Sequence, residues 1–220
     1  MKLDTAIYDM DGLLIDSEPL WHQAAKEVMG VMGIPLDDEA YATTIGLRTR
    51  EFLEHWFSMY GVAAVHLPET EELITRRVIE LVSQQGTLMP GVLGSIELFR
   101  KKGFRIGLAT SSPMALVEAM LARTGLDGSF HAISSAELLP YGKPHPQVYL
   151  DCAQSLGSSP LRCLCLEDSF NGMIAAKAAR MKCIVVPESS VYHLERWLAA
   201  DRILPSLEHV DAALLESLGG

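Results

Sequence analysis

The sequence lacks the long apolar runs, the paired cysteines and the basic excess that would each indicate a particular class of protein. Within its 220 residues, no stretch approaches the roughly 18 consecutive apolar residues of a membrane-spanning helix. The first residues reach the charged Asp9 without a signal-peptide apolar stretch, so a cytoplasmic location is expected. Acidic residues outnumber basic ones by 28 to 18, and a net charge of −10 does not favour nucleic acid or anionic membranes as partners.

Cysteine is also scarce. The four cysteines lie in apolar runs and lack the C-x-x-C spacing of a zinc or redox site. They are Cys152, Cys163, Cys165 and Cys183. We expect four buried thiols, which agrees with a cytoplasmic protein.

What the sequence does contain is an alternation of strand and helix patterns, within an ordinary globular composition of 49% hydrophobic and 21% charged residues. The predicted strands lie at about residues 3–9, 104–109, 132–133, 162–166, 183–186 and 202–204. The predicted helices lie at about residues 17–32, 37–44, 50–60, 68–85, 91–102, 113–124, 145–156, 169–180 and 206–218. This order predicts an α/β fold, with a Rossmann-like parallel sheet and helices on both faces.

The helices after the first strand are not interrupted by any predicted strand. Asp16 or Ser17 is placed to cap the first of them, and Gly33 ends it. We therefore expect residues 16–85 to form an all-helical insertion, and residues 1–15 and 86–220 to form the core around it.

Polar residues follow several of the predicted strands. Asp9 and Asp11 are two residues apart after the first strand, so their side chains point to one side, and Gly12 then permits a tight turn. Further polar residues at or near strand ends are Thr110, Lys143, Glu167 and Asp168. In a parallel sheet these strand ends share one edge, where α/β proteins bind ligands.

Each of these residues also has a structural explanation: solvated aspartates, helix caps, or a surface lysine. Glu167 and Asp168 could equally be a carboxylate pair that the helix dipole favours. Together, however, four carboxylates at one edge repel one another unless a cation lies among them. We therefore predict a cation site at this edge.

In order and spacing, these motifs resemble the four motifs of the haloacid-dehalogenase-like superfamily of magnesium-dependent phosphatases. They are Asp9-Met10-Asp11-Gly12, Thr110, Lys143-Pro144 and Leu166-Glu167-Asp168-Ser169. The insertion at 16–85 resembles the superfamily's small helical cap. Three further segments are most similar to bacterial hexitol and 2-deoxyglucose-6-phosphate phosphatases, namely Ser17-Glu18-Pro19-Leu20-Trp21, Gly46-Leu47-Arg48 and 139–146.

Phosphoryl transfer explains the residue types. Asp9 can attack phosphorus to form an aspartyl-phosphate, and Asp11 can protonate the leaving alkoxide and later deprotonate water. The resemblance implies that Asp9, the Asp11 carbonyl and Asp168 bind Mg²⁺, with Glu167 orienting ligands around them. Phosphoryl oxygens are expected to contact Thr110, Ser111 and Lys143.

Contacts beyond the phosphate are expected from the cap and from Asn171. Trp21 offers an apolar face for a sugar ring or fills the cap core; superfamily members often have His there, and His22 is adjacent. Arg48 and Arg50 bind substrate hydroxyls or are simply solvated. Asn171 contacts substrate or supports the start of a helix.

The function expected is hydrolysis of a small sugar phosphate by a monomer. A sugar phosphomutase or a phosphoglycolate-type phosphatase on the same scaffold is the enzyme alternative. The non-enzyme alternative is a phospho-receiver module, which also uses Asp, magnesium, Thr or Ser, and Lys. A receiver has no use for an acid two residues beyond its phosphorylated Asp, which favours an enzyme.

Overall fold

A parallel β-sheet forms the centre of the molecule. The computed structural model describes residues 2–44 and 47–219. Its strands are β1 Thr5–Tyr8, β2 Arg105–Thr110, β3 Ala132–Ser135, β4 Cys163–Glu167, β5 Lys182–Val185 and β6 Arg202–Ile203. Their order is β3-β2-β1-β4-β5-β6, and every neighbouring pair is parallel. The predicted Rossmann-like α/β class is confirmed.

Helices connect these strands and cover the sheet. Between β1 and β2 lie α1 Glu18–Val31, α2 Asp38–Ala42, α3 Thr49–Tyr60, α4 Leu67–Gln85 and α5 Val92–Lys101. The remaining helices are α6 Met114–Thr124, α7 Gln147–Ser155, α8 Phe170–Ala178 and α9 Ala212–Ser217. We call α1 to α4 and their connections the helical segment.

The end of the chain differs from the continuous helix predicted at 206–218. A short 3-10 turn, Leu207–His209, comes first, and α9 begins only after Asp211. Val210 has an extended backbone, and the Asp211 carboxylate accepts a hydrogen bond of 2.7 Å from Leu214 N. Asp211 therefore caps a separate helix and does not lie inside one continuous helix over 206–218.

The hydrophobic core lies on both faces of the sheet because alternate residues of β1 point in opposite directions. Ala6 and Tyr8 belong to a cluster that includes buried residues of the helical segment, α5 and α6. Ile7 belongs to a second cluster, with residues of α7 and α8. The helical segment is thus packed into one of these two clusters.

The direction in which successive strands are added to the sheet reverses at β1. From this central strand the chain leads to β2 on one side, and the later strand β4 pairs on the other. Such a reversal leaves a crevice at the carboxyl ends of the strands. Among the described residues, none of the helices combines the length and apolar character needed to cross a membrane.

Candidate active site

The predicted polar residues meet at the carboxyl edge of the sheet. Asp9 follows β1, and its backbone N–H donates to the Leu166 carbonyl of β4 at 2.9 Å. Glu167 ends β4 and Thr110 ends β2. Because β1 lies between these two strands, the side chains of Asp9, Glu167 and Thr110 border one crevice.

Lys143 connects two of the carboxylates. Its ammonium donates to Asp9 Oδ1 at 2.5 Å and to Glu167 Oε1 at 2.6 Å, and also to the Ala109 carbonyl at 3.0 Å. The side chains are almost fully enclosed: Lys143 is 6% exposed, Asp9 10% and Glu167 0%. Burial alone disfavours the ammonium, but the two carboxylates outweigh it and raise the pKa of Lys143.

The carboxylates of Asp9 and Asp168 have raised pKa values. Burial is the largest cause that raises the pKa of Asp9 from 3.8 to about 7, although Lys143 opposes it. Burial also raises the pKa of Asp168 well above its ordinary value, and the carboxylates of Asp9 and Glu167 add to the effect. This edge therefore has an excess of negative charge that a cation would relieve.

Both carboxylate oxygens of Glu167 accept hydrogen bonds from neighbouring residues. Its Oε1 accepts from Lys143 and from the Tyr149 hydroxyl at 2.5 Å. Its Oε2 accepts from the backbone N–H groups of Asp168 and Ser169, both at 3.2 Å, and from the Ser169 hydroxyl at 3.1 Å. These contacts suit a residue that holds its neighbours in place.

A divalent cation fits the oxygens that remain. One carboxylate oxygen from each of Asp9, Glu167 and Asp168 lies within 4.8 Å of the others. Asp9 Oδ2 and the Asp168 carboxylate accept no hydrogen bond from the described residues. Oxygen ligands of this kind are preferred by Mg²⁺, so Asp9 and Asp168 suit direct ligation, with Glu167 supporting them.

Asp11 has surroundings of another kind. Its Oδ1 accepts from the Ser17 hydroxyl at 2.7 Å and from the Trp21 indole N–H at 3.1 Å. Its Oδ2 accepts from the Ser112 hydroxyl at 2.6 Å. Three donors hold this carboxylate without the help of a neighbouring cation.

The predicted phosphate contacts are placed differently from one another. Thr110 is 1% exposed, and its oxygen accepts from the Ser112 backbone N–H at 3.0 Å, which leaves its hydroxyl proton free to donate. Ser111 is half-buried in the turn after β2, and Asn171 is half-buried in the first turn of α8. Neither side chain hydrogen-bonds to another residue in the described ranges, so both are free for a ligand.

The two arginines of the helical segment have separate environments. Arg48 donates from Nη2 to the Ala136 carbonyl at 3.1 Å, and its guanidinium lies so close to Gly142 that a side chain there would collide with it. Arg48 therefore contacts the loop that carries Lys143. Arg50 is exposed and pairs with Glu54 at 3.2 Å and Glu71 at 3.8 Å, so the predicted site residues do not hold it. Gly46, quoted with this motif, lies outside the described residues.

Several residues that meet at the site were not predicted to do so. Asp16 or Ser17 was predicted as a helix cap; Ser17 occupies the N-cap position of α1, but its hydroxyl donates to Asp11 and makes no capping hydrogen bond to the helix. Ser112 was not singled out from the sequence as a site residue. Tyr149, six residues after Lys143 on the buried side of α7, carried no signal beyond helical spacing.

A further polar group lies on the helical segment. The Tyr41 hydroxyl donates to Glu18 Oε1 at 3.1 Å, and the His22 ring stacks on Tyr41 with 4.3 Å between ring centroids. Burial raises the pKa of Glu18, and the charge of Asp11 adds to the shift. The Glu18 carboxylate is thus an acceptor close to the crevice that sequence reasoning did not single out.

Comparison with known proteins gives consistent matches. The family model of haloacid dehalogenase-like hydrolases matches residues 3–180. Over 208 residues the chain is 45% identical to Hexitol phosphatase B of Escherichia coli, and the match covers 94% of each chain. The crystal structure of CbbY from Rhodobacter sphaeroides in complex with phosphate has a TM-score of 0.88 and 27% identity, covering 97% of this chain and 99% of that one. A CbbY variant bound to xylulose 1,5-bisphosphate gives a TM-score of 0.87, also at 27% identity and the same coverage.

Proposed function

The chain belongs to the haloacid dehalogenase-like hydrolase family, and we propose that this phosphatase uses magnesium and a phosphorylated Asp9 to hydrolyse small sugar phosphates. One observation carries the mechanism: two carboxylates two residues apart have unlike surroundings. Asp9 contacts an ammonium beside Asp168, whereas Asp11 contacts only neutral donors. Such a difference separates a nucleophile from an acid–base group. As a member of a hydrolase family the chain is an enzyme, which argues against the phospho-receiver alternative.

The first half-reaction transfers the phosphoryl group to Asp9. An Asp9 carboxylate oxygen forms a bond to phosphorus while the bond from phosphorus to the ester oxygen breaks. Asp11 gives its proton to the departing oxygen, so that an alcohol leaves instead of an alkoxide. Thr110, with its free hydroxyl proton, and Ser111 bind phosphoryl oxygens. Lys143 holds Asp9 in position for the attack.

The second half-reaction restores the enzyme. Asp11, now a carboxylate, takes a proton from a water molecule whose oxygen attacks phosphorus. The bond between phosphorus and the Asp9 oxygen breaks, which releases inorganic phosphate and the free carboxylate. The same aspartate therefore donates a proton in the first half-reaction and accepts one in the second, and it ends the cycle protonated, as it began.

We include magnesium in this proposal because the available ligand atoms are carboxylate and carbonyl oxygens, which Mg²⁺ prefers. Asp9, the Asp11 carbonyl and Asp168 would hold the ion, while Glu167 would orient Lys143 and the turn after β4. A bound Mg²⁺ supplies positive charge that offsets the anionic oxygens of the phosphoryl group. The raised pKa of Asp9 supports this assignment, because burial leaves that carboxylate short of positive charge.

The substrate class rests on the relatives. A relative at 45% identity is named for hexitol phosphates, and a structural neighbour binds a sugar bisphosphate. We propose that residues 16–85 act as a cap over the core formed by 1–15 and 86–220. Trp21, Arg48 and Asn171 then lie where the non-phosphate part of the substrate would bind, and Arg50 would reach it only after leaving its ion pairs. A cytoplasmic location and a monomeric state complete the proposal.

A substrate panel tests it. Phosphate release is measured with mannitol 1-phosphate, sorbitol 6-phosphate, 2-deoxyglucose 6-phosphate, phosphoglycolate and a nucleotide, with Asp9→Asn as the inactive control. We expect overlapping activity on the three sugar phosphates. Strong preference for phosphoglycolate or the nucleotide would contradict the sugar assignment. Isomerised sugar phosphate without phosphate release would instead indicate a phosphomutase.

A further inference from the structure

Trp21 makes a contact that neither of its expected roles explains. Its indole N–H, carried by α1, donates to Asp11 Oδ1 at 3.1 Å. The residue is half-buried and packs against the hydrophobic core that includes the helical segment, but neither this packing nor an apolar face for a sugar accounts for the contact of its N–H. It is instead bonded to the carboxylate that we assign to proton transfer.

The chemistry of the three donors to Asp11 differs. Serine hydroxyls can donate or accept a hydrogen bond, whereas an indole N–H can only donate. When Asp11 gains and loses its proton, Ser17 and Ser112 can therefore reverse their roles. Trp21 cannot, so it favours Oδ1 as an acceptor in both protonation states.

We propose that Trp21 is a positioning residue that fixes the orientation of Asp11 and assigns its transferable proton to Oδ2. This inference rests on the proposed function, in which Asp11 is the general acid and base. The proton leaves Oδ2 for the ester oxygen in the first half-reaction, and Oδ2 takes one from water in the second. Oδ1 remains held by Trp21 and Ser17 throughout.

The position of Trp21 links this orientation to the helical segment. Trp21 lies on α1, whereas Ser112, which contacts the other oxygen, follows β2 in the sheet. The Asp11 carboxylate thus lies between a donor from the helical segment and a donor from the sheet. Both donors reach the Asp11 carboxylate only when the helical segment is packed against the sheet. Correct placement matters because small errors in the position of an acid–base group lower the rate of proton transfer.

The test compares two aryl phosphates that carry no sugar hydroxyls, so that contacts between Trp21 and a sugar cannot affect the result. Phenol has a pKa of about 10, like the tyrosine side chain, and needs a proton to leave. p-Nitrophenolate leaves without one. The ratio of kcat/KM for the two esters therefore measures how well Asp11 acts as an acid in the first half-reaction.

Three variants are measured against the wild type. Trp21→Phe keeps a ring and removes the donor; we expect kcat/KM for phenyl phosphate to fall about tenfold, and that for p-nitrophenyl phosphate less than about twofold. Trp21→His keeps an N–H donor and should restore much of the ratio. Trp56→Phe, the matched control, removes an indole whose N–H faces Thr44 at 3.4 Å inside the helical segment, and should leave the ratio unchanged.

The outcomes separate this inference from the proposed function. Thermal unfolding of each variant shows that it is folded. Trp21 does not position Asp11 if a folded Trp21→Phe variant lowers kcat/KM for both esters equally, or for neither. The same conclusion follows if Trp21→His restores none of the lost ratio. If the wild type hydrolyses no phosphate ester, the proposed function fails and this inference fails with it.

Discussion

Replacement of Lys143 by methionine should destabilise the protein far more than a typical loss of an ion pair. The ammonium is 6% exposed and contacts Asp9 Oδ1 at 2.5 Å and Glu167 Oε1 at 2.6 Å. Methionine keeps much of the side-chain volume and removes the charge. Two carboxylates are then left enclosed with no cation between them.

The expected magnitude follows from this burial. Removing one partner of a buried ion pair costs roughly 3–5 kcal/mol, because the other charge stays behind without compensation. For a chain of this length each kcal/mol lowers Tm by about 2–4 °C, so Lys143→Met should lower Tm by roughly 6–20 °C. The Tyr149 hydroxyl, which also contacts Glu167, offsets only part of the loss, since it carries no charge.

The stability lost in Lys143→Met should depend on pH. The pKa of Asp9 is about 7 in the folded protein against 3.8 for an ordinary aspartate, and removing Lys143 raises it further. A carboxyl with a raised folded pKa stabilises the fold fully below its unfolded pKa, and this contribution is lost as pH rises through the folded pKa. At pH 5 Asp9 is protonated in both folded proteins, so the gap between variant and wild type should be smaller there than at pH 8.

Urea unfolding in excess chelator measures this difference without a bound cation that would replace the lost charge. Lys177→Met is the matched control: Lys177 pairs with Asp201 at 2.6 Å, but its side chain is 33% exposed, and a pair of that kind contributes about 0–1 kcal/mol. Equal losses for the two variants, or a Lys143→Met deficit that does not shrink at pH 5, would refute the role assigned to burial.

Three further predictions concern the site. Asp9→Asn should stay folded, because Lys143 keeps Glu167 as its ionic partner, but should lower kcat for phosphate release below about one-hundredth, since an amide is not a nucleophile; a higher residual rate would exclude the covalent route. Chelator should abolish phosphate release and Mg²⁺ restore it, while Ca²⁺ supports little turnover because its coordination is looser; full activity in excess EDTA would contradict the metal assignment. Gly142→Ala should lower the free energy of unfolding by displacing Arg48, and should cost less in an Arg48→Ala background; additive losses would show that the two residues do not interact.

The sheet edge could be predicted from the sequence because it depends on local pattern. Each of β1, β2 and β4 is a short apolar run, and polar residues follow at its end. Parallel pairing then brings Asp9, Thr110 and Glu167 together without any knowledge of side-chain packing. The positions of the strands and the polar residue types at their ends could therefore both be predicted from the sequence alone.

The surroundings of Asp11 could not be predicted in this way. A serine before a helix is normally its cap, and nothing in the sequence distinguishes that from the contact that Ser17 makes with Asp11. Trp21 reaches the same carboxylate only because α1 docks above the end of β1. These contacts depend on how the helical segment packs against the sheet, and a hydrophobic pattern does not specify that geometry.

Two glycines make the close packing at the end of β4 possible. Gly12 has a φ of 73°, which permits the turn expected after Asp11, and a side chain there would also collide with the Asp168 carboxylate. Gly172 was not singled out from the sequence, yet a side chain at this position in α8 would overlap the Glu167 carboxylate. A glycine inside a helix costs about 1 kcal/mol relative to alanine, and here it leaves room for the group that holds Lys143. The space around Glu167 thus sets the position of Lys143, and through it that of Asp9.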